Sequence, residues 1–136
     1  MGCIFCMIKD GQIPCAKVYE NEYVMAFLDL SQANTGHTLV IPKVHADTLL
    51  DLDDKNYCEV MKTVKKLACV ILKATKADGV NIVNNSYEAA GQTVMHAHVH
   101  IIPRFKDDSI KFEFPNNEGK YNLEEIANTI KAQMND

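Results

Sequence analysis

Two β-prone runs open the chain's readable pattern. Val18-Tyr19 and Val24 to Leu28 are divided by the turn-like Glu20-Asn21-Glu22, which predicts a β-hairpin. "GHTLVIPK" predicts the next strand, opened by Gly36 and closed by Pro42, whose missing N–H ends ladder pairing. The period then changes. Tyr57, Val60, Met61, Val64, Leu67, Ala68, Ile71 and Leu72 recur at three- and four-residue spacing, with Lys62, Lys65, Lys66 and Lys73 between them. That predicts a long helix over roughly residues 53–77, started by Leu52-Asp53-Asp54 and stopped by Gly79. "GVNIVNN" and "TVMHAHVHIIPR" predict two more strands, joined by the small polar loop 86–92. Leu123, Ile126, Ala127, Ile130 and Met134 predict a short amphipathic helix at about 123–134. The order of elements implies an α+β fold, a mostly antiparallel sheet with its helices grouped on one side.

Composition narrows the function classes. At 136 residues the chain is expected to be a single domain, 1–136. A net charge of -4 and a pI near 5.7 argue against the basic footprint of a nucleic-acid or acidic-membrane binder. No apolar run approaches the ~20 residues of a membrane span, and no leader is read at the start. Five cysteines form no regular framework, so a reducing, cytoplasmic setting is expected. Cys15, Cys58 and Cys69 are read as buried apolar thiols.

The chemistry concentrates in "HAHVH". On a strand, His96, His98 and His100 share one face, while Ala97, Val99 and Ile101 share the other and pack on the core. Clustering three groups that titrate near neutral pH costs stability, which points to function. Two uses fit. Three imidazoles can hold a catalytic zinc with water as fourth ligand. Alternatively, one imidazole is a nucleophile and its neighbours orient it and bind the transferred group. Cys3-x-x-Cys6 adds two thiolates, half of a tetrahedral metal site. The missing ligands would come from His37, His45 and the strand histidines.

Several motifs in order make this chain similar to the histidine triad (HIT) family. "GQTVMHAHVHIIPR" resembles its defining pattern. "CIFCMIKDGQIP", "AFLDLSQANTGHTLVIPKVH" and "NNSYEAAGQTV" resemble the bacterial-type branch carrying an N-terminal CxxC. The likeness spans about residues 3–104, leaving 105–136 as a tail and helix. It implies a five-stranded antiparallel sheet with one long and one C-terminal helix, the sheet extended across a homodimer. It also implies hydrolysis or transfer at the α-phosphate of a purine nucleotide conjugate, as in a nucleoside phosphoramidase, with no organic cofactor.

Residue by residue, the resemblance makes His98 the nucleophile and His100 its partner at the phosphate. His37 supports the nucleophile, and Thr93 places a hydroxyl near the leaving group. Phe27, Asp29 and Leu30 form the nucleoside cleft. Gly91 and Gln92 belong to the phosphate loop, with Asn84 or Asn85, Asn84 favoured, near the phosphates. Cys3, Cys6, His45 and His96 would hold a structural zinc. The loop departs from the family in carrying Ser86 where glycine is common. Competing functions are a zinc hydrolase built on His96, His98 and His100, a dinucleoside polyphosphate hydrolase, and a nucleotide-binding signalling module with little catalysis.

Overall fold

The computed structural model describes residues 2–134. The outermost positions of the expected 1–136 domain therefore lie outside the described residues. The elements are α1 (Ile4–Lys9), β1 (Lys17–Glu20), β2 (Val24–Leu28), β3 (Thr38–Pro42), α2 (Asp54–Thr75), β4 (Gly79–Val83), β5 (Val99–Arg104) and α3 (Leu123–Lys131). The five strands form one sheet in the order β1-β2-β3-β5-β4, and every pairing is antiparallel.

Both faces of the central strands are apolar, so both need cover. On one face Val24, Ala26, Val40, Val99 and Ile101 pack against Val60, Val64, Leu67, Ala68 and Ile71 of α2. On the other, Met25, Phe27, Leu39 and Ile41 pack against Phe5 and Ile8 of α1. The helices are thus not grouped on one side. α1 covers the face opposite α2, because the alternate residues of β2 and β3 would otherwise leave a row of large side chains in water.

Three details differ from expectation. α2 ends at Thr75, where Lys76 turns left-handed at φ 58°, and Gly79 begins β4 instead of stopping the helix. Asp53 caps α2 by position, but its carboxylate accepts from Asn56 Nδ2 (2.7 Å) and makes no side-chain cap hydrogen bond. Cys58 and Cys69 are exposed, since they fall on the lysine face of α2, and Cys15 is half-buried.

One tight approach sets the entry to β3. Gly36 has φ +99°, and a Cβ there would lie 2.7 Å from Thr75 Cγ2 and 3.2 Å from Pro103 Cγ. Only glycine lets the chain pass between the end of α2 and β5 and deliver His37 to the sheet.

Candidate active site and metal centre

β5 begins at Val99, so His96 and His98 precede the strand. The β3–β5 ladder runs from Thr38↔Ile101 to Val40↔Val99 and stops short of Pro42, which has no N–H to give. The alternation nonetheless continues beyond the strand. The Ala97 N–H donates to the Ala46 carbonyl (2.7 Å), and Asn84 Nδ2 donates to the His98 carbonyl (2.9 Å). Ala97 faces the α2 core, while His96 and His98 lie buried on the α1 side.

Hydrogen-bond partners assign the tautomers. The Ala33 N–H donates to His37 Nδ1 (3.1 Å), so the His37 proton sits on Nε2 and is given to His100 Nδ1 (2.9 Å). His100 therefore carries its own proton on Nε2. His98 Nδ1–H donates to the His96 carbonyl (2.7 Å), which leaves Nε2 with a free lone pair. Burial lowers the pKa of His37 and His98 below the usual histidine value. Burial, with His98 and His37 as neighbours, takes His100 down to about 4. All three are neutral at pH 7. Asp29 stands 3.8 Å from His37 Nε2. Burial alone would raise its pKa, but hydrogen bonds from the Ser31 hydroxyl and N–H and the nearby His37 hold it low.

A pH dependence of stability follows from His37 and His100. Their folded-state pKa values lie below the unfolded value, so below about pH 6.5 the unfolded chain takes up protons that the folded chain refuses. Stability is therefore complete above pH 6.5 and falls as pH drops toward 4. Urea unfolding midpoints between pH 7.5 and 4.5 are expected to show this fall, and His100→Asn to flatten it. An unchanged slope in that variant would contradict the assignment.

An apolar cleft of about 240 Å³ adjoins the histidines, lined by Ile4, Phe5, Ile8, Ile13, Pro14, Cys15, Phe27, Leu28, Asp29, Leu30, Leu39 and Val94. Phe27, Asp29 and Leu30 meet there, Leu30 fully exposed at the rim. The sequence pattern does not announce the opposite wall, which α1 and the segment after it supply. Phe5 is central to it, packing edge-on against Phe27 (centroids 5.6 Å apart) and His98 (5.1 Å). An apolar residue one turn from Ile8 and two residues after Cys3 is the one available signal.

The loop 84–93 is held mostly by itself. Gln92 is buried, and its amide nitrogen donates to the carbonyls of Asp47 (2.6 Å) and Val94 (2.9 Å) while its oxygen accepts from the Tyr87 N–H (2.7 Å). Its side chain therefore fastens the loop and has no N–H left over for a phosphate. Those bonds hold Tyr87 at φ 76°, ψ 158°, a conformation nearly confined to glycine. The glycine-type backbone thus falls at Tyr87, one residue beyond Ser86. Asn84 is committed to the His98 carbonyl, whereas Asn85 packs by Gly91, itself at φ +98°. Thr93 is exposed beside Cys3, His45 and Asp47, on the metal side of the histidines.

Cys3, Cys6, His45 and His96 bring one donor atom each within 4.8 Å of one another. His96 Nε2 donates to the Pro42 carbonyl (2.9 Å), and His45 Nε2 donates to Asp47 Oδ1 (3.0 Å). The two Nδ1 atoms then face each other at 3.1 Å, both as lone pairs. Cys3 Sγ lies 3.3 Å and Cys6 Sγ 3.5 Å from His96 Nδ1. Two lone pairs and two thiols converging on one point suit a tetrahedral cation, and the Asp47–His45 bond is the usual support behind a ligating imidazole. Among the described residues His98 belongs to no such donor group, so the three triad histidines do not converge on a common metal. Asp29, His37 and His100 also stand close, but the His37–His100 hydrogen bond already satisfies the facing nitrogens.

The HIT domain family model matches residues 10–107. The chain belongs to the HIT family. A HIT-like protein of Methanocaldococcus jannaschii is 46% identical, over 96% of this chain and 99% of its own. An adenosine 5'-monophosphoramidase of Schizosaccharomyces pombe is 41% identical, over 76% of this chain and 75% of its own. The crystal structure of a Bacillus subtilis HIT protein superposes with a TM-score of 0.94 at 40% identity, covering 100% of this chain and 99% of the other. A zinc-bound histidine triad protein of Mycobacterium smegmatis superposes at 0.78 with 34% identity, covering 98% and 99%. Within this HIT fold the triad residues have separate surroundings. His96 faces the cysteines, His98 rests on a carbonyl, and His100 is bonded to His37.

Proposed function

We propose that this HIT protein is a nucleotide-binding hydrolase or nucleotidyl transferase acting on the α-phosphate of purine nucleotide conjugates, phosphoramidates foremost. The observation that carries this reading is the His98 tautomer. A neutral imidazole whose Nδ1–H is spent on a backbone carbonyl offers Nε2 as a nucleophile. His98 Nε2 attacks the α-phosphorus, a P–N bond forms, and the bond to the leaving group breaks as the departing amine takes a proton from solvent. Water then cleaves the nucleotidyl-histidine and restores the imidazole. The His100 Nε2–H, oriented by the chain Ala33–His37–His100, donates to a phosphoryl oxygen as charge builds there. The apolar cleft takes the base, with Asp29 accepting from ribose hydroxyls. The phosphoramidase activity named for the S. pombe relative supports the substrate class.

Zinc on Cys3, Cys6, His45 and His96 is structural in this reading and supplies no reaction step. Its chemistry would be that of a crosslink joining the start and first turn of α1 to the loop after β3 and to the triad. The zinc-bound M. smegmatis relative supports the choice of metal. We also read the chain as one domain and a homodimer that continues the sheet across two copies, working in the cytoplasm. Among the described residues no helix is long and apolar enough to cross a membrane.

Rapid acid quench of turnover on a panel of adenosine and guanosine phosphoramidates, followed by mass spectrometry, tests the proposal. The expected result is one nucleotidyl group on the peptide containing His98. Turnover on the panel without any adduct, or an adduct on another residue, would reject it.

A further inference from the structure

The loop that joins β2 to β3, residues 29–37, carries Asp29 at one end and His37 at the other. Its main chain does part of the work of holding them. The Asp29 N–H donates to the His37 carbonyl (3.0 Å), and the His37 N–H donates to the Asn34 carbonyl (3.0 Å). One side chain adds three more bonds. Gln32 Nε2 donates to the carbonyls of Asp29 (2.6 Å) and His37 (2.7 Å), and its Oε1 accepts from the Gly36 N–H (2.8 Å). These partners fix the orientation of the amide, since the flipped form would set its oxygen against two carbonyls and its nitrogen against an N–H. The amide therefore bridges the two ends of the loop, with both of its N–H groups used.

Gln32 holds this place against its own backbone preference. Its φ is 40°, in the left-handed region that glycine and asparagine enter more readily. Glycine would suit the turn and lose all three bonds. The next N–H along the chain, that of Ala33, is the one that donates to His37 Nδ1 (3.1 Å). The turn at Gln32 and the amide of Gln32 thus act on the same residue, one on its ring and one on its main chain. His37 in turn gives its Nε2–H to His100 Nδ1 (2.9 Å), which leaves the His100 proton on Nε2. A second amide, that of Asn34, ties the loop outward. Its Nδ2 donates to the Pro103 carbonyl (2.8 Å) and to Asp108 Oδ2 (2.9 Å), and not to Asp29 or His37.

We propose that Gln32 is a positioning residue for the reaction: its amide holds His37, and through His37 it keeps the His100 Nε2–H aimed at the α-phosphate. The inference rests on the proposed nucleotidyl transfer and adds what sets the tautomer on which that donation depends. None of the Gln32 hydrogen bonds goes to an imidazole, so it acts on the triad from behind. Without the amide the main chain at 36–37 is free to turn. The His37 ring then loses its register with Ala33 and with His100, and His100 takes either tautomer. That loss falls on rate more than on binding, because the bond to the phosphoryl oxygen strengthens as charge builds there. The cleft side of the loop is spared, since the Asp29 carboxylate is held by the Ser31 N–H and hydroxyl.

The test uses the full chain and three variants of it. Gln32→Met keeps the length of the side chain and removes the amide. Gln32→Gly removes it with a residue that takes φ 40° freely, so the fold is spared. Asn34→Ala removes the other amide of the loop. Long-range proton–nitrogen NMR at pH 7 reads which ring nitrogen of each histidine carries the proton, and steady-state kinetics on the phosphoramidate panel reads kcat and KM. The wild type is expected to show His37 and His100 each protonated on Nε2 alone. Both Gln32 variants are expected to lose the single tautomer at His100 and to lose kcat by about tenfold to a hundredfold. KM should change less than about threefold, with circular dichroism unchanged. Asn34→Ala is expected to keep both tautomers and to hold kcat within about threefold. Wild-type tautomers and kcat in both Gln32 variants would overturn the proposal. An equal loss in Asn34→Ala would overturn it too, because the effect would then be a general loosening of the loop. A wild type without turnover on the panel overturns the reaction instead, and the tautomers then decide the role of Gln32 on their own.

Discussion

His98→Ala is expected to lower kcat/KM for a nucleoside phosphoramidate by on the order of 10⁴-fold or more, as removal of a covalent nucleophile does elsewhere. Nucleotide affinity should change less than about threefold, which is within roughly 0.7 kcal/mol. The asymmetry follows from the geometry. His98 is 7% exposed and meets the apolar cleft at Phe5, whose ring packs edge-on against it. The cleft walls come from α1 and the segment after it, β2 and the loop after it, Leu39 of β3 and Val94, and the ring's hydrogen bond goes instead to the His96 carbonyl. Steady-state kinetics with calorimetric titration of the nucleoside monophosphate would check both halves. Turnover surviving in His98→Ala would remove the covalent mechanism. A parallel loss of binding would mean that His98 holds the cleft together. His37→Ala should act more weakly, because it deletes a support of His100 and leaves Nε2 of His98 in place.

The fold is largely legible in the sequence because its signals are local. The three- and four-residue repeat from Val60 to Ile71 marks α2, and the alternation of Val24, Ala26, Val40, Val99 and Ile101 marks the face beneath it. α1 is not legible. It has six residues, too few for a repeat, and its first turn is capped by the Cys3 thiol accepting from the Cys6 N–H, a cap that no common sequence signal announces. With α1 go Phe5 and Ile8, and with them half of the cleft. The start of β5 escapes for another reason. Alternation says which face a residue takes, but ladder pairing also needs donors on the neighbouring strand, and Pro42 supplies none. Gln92 and Asn84 illustrate a third limit. The amide N–H groups of Gln92 go to the carbonyls of Asp47 and Val94, and Asn84 Nδ2 goes to the His98 carbonyl. Sequence spacing carries no record of where a side chain's hydrogen bonds go.

Stripping the metal is expected to cost the protein both stability and its nucleoside affinity. α1 is too short to persist alone, and two of the four candidate ligands, Cys3 and Cys6, sit at its start and in its first turn. The same turn carries Phe5 and Ile4, which wall the cleft. Without a cation the centre works against itself. Two imidazole lone pairs face each other at 3.1 Å, and the Cys6 thiol is pushed up in pKa by burial and by the hydrogen bond and charge of Cys3. A metal held at a thousandfold excess over its dissociation constant contributes about 4 kcal/mol to folding. Its removal should lower Tm by on the order of 10 °C. Nucleoside monophosphate affinity should fall about tenfold or more, and by linkage the nucleotide should tighten metal binding by the same factor. Metal uptake should release protons as the thiols ionise, so the metal dissociation constant should fall as pH rises. Cys3→Ser is expected to lose the ion, whereas His98→Ala keeps one per chain. Calorimetry of nucleotide binding with metal-loaded and chelator-treated protein reads the coupling directly. Equal nucleotide affinities in the two samples would mean that α1 stays seated by packing alone, and that the metal centre and the cleft are independent.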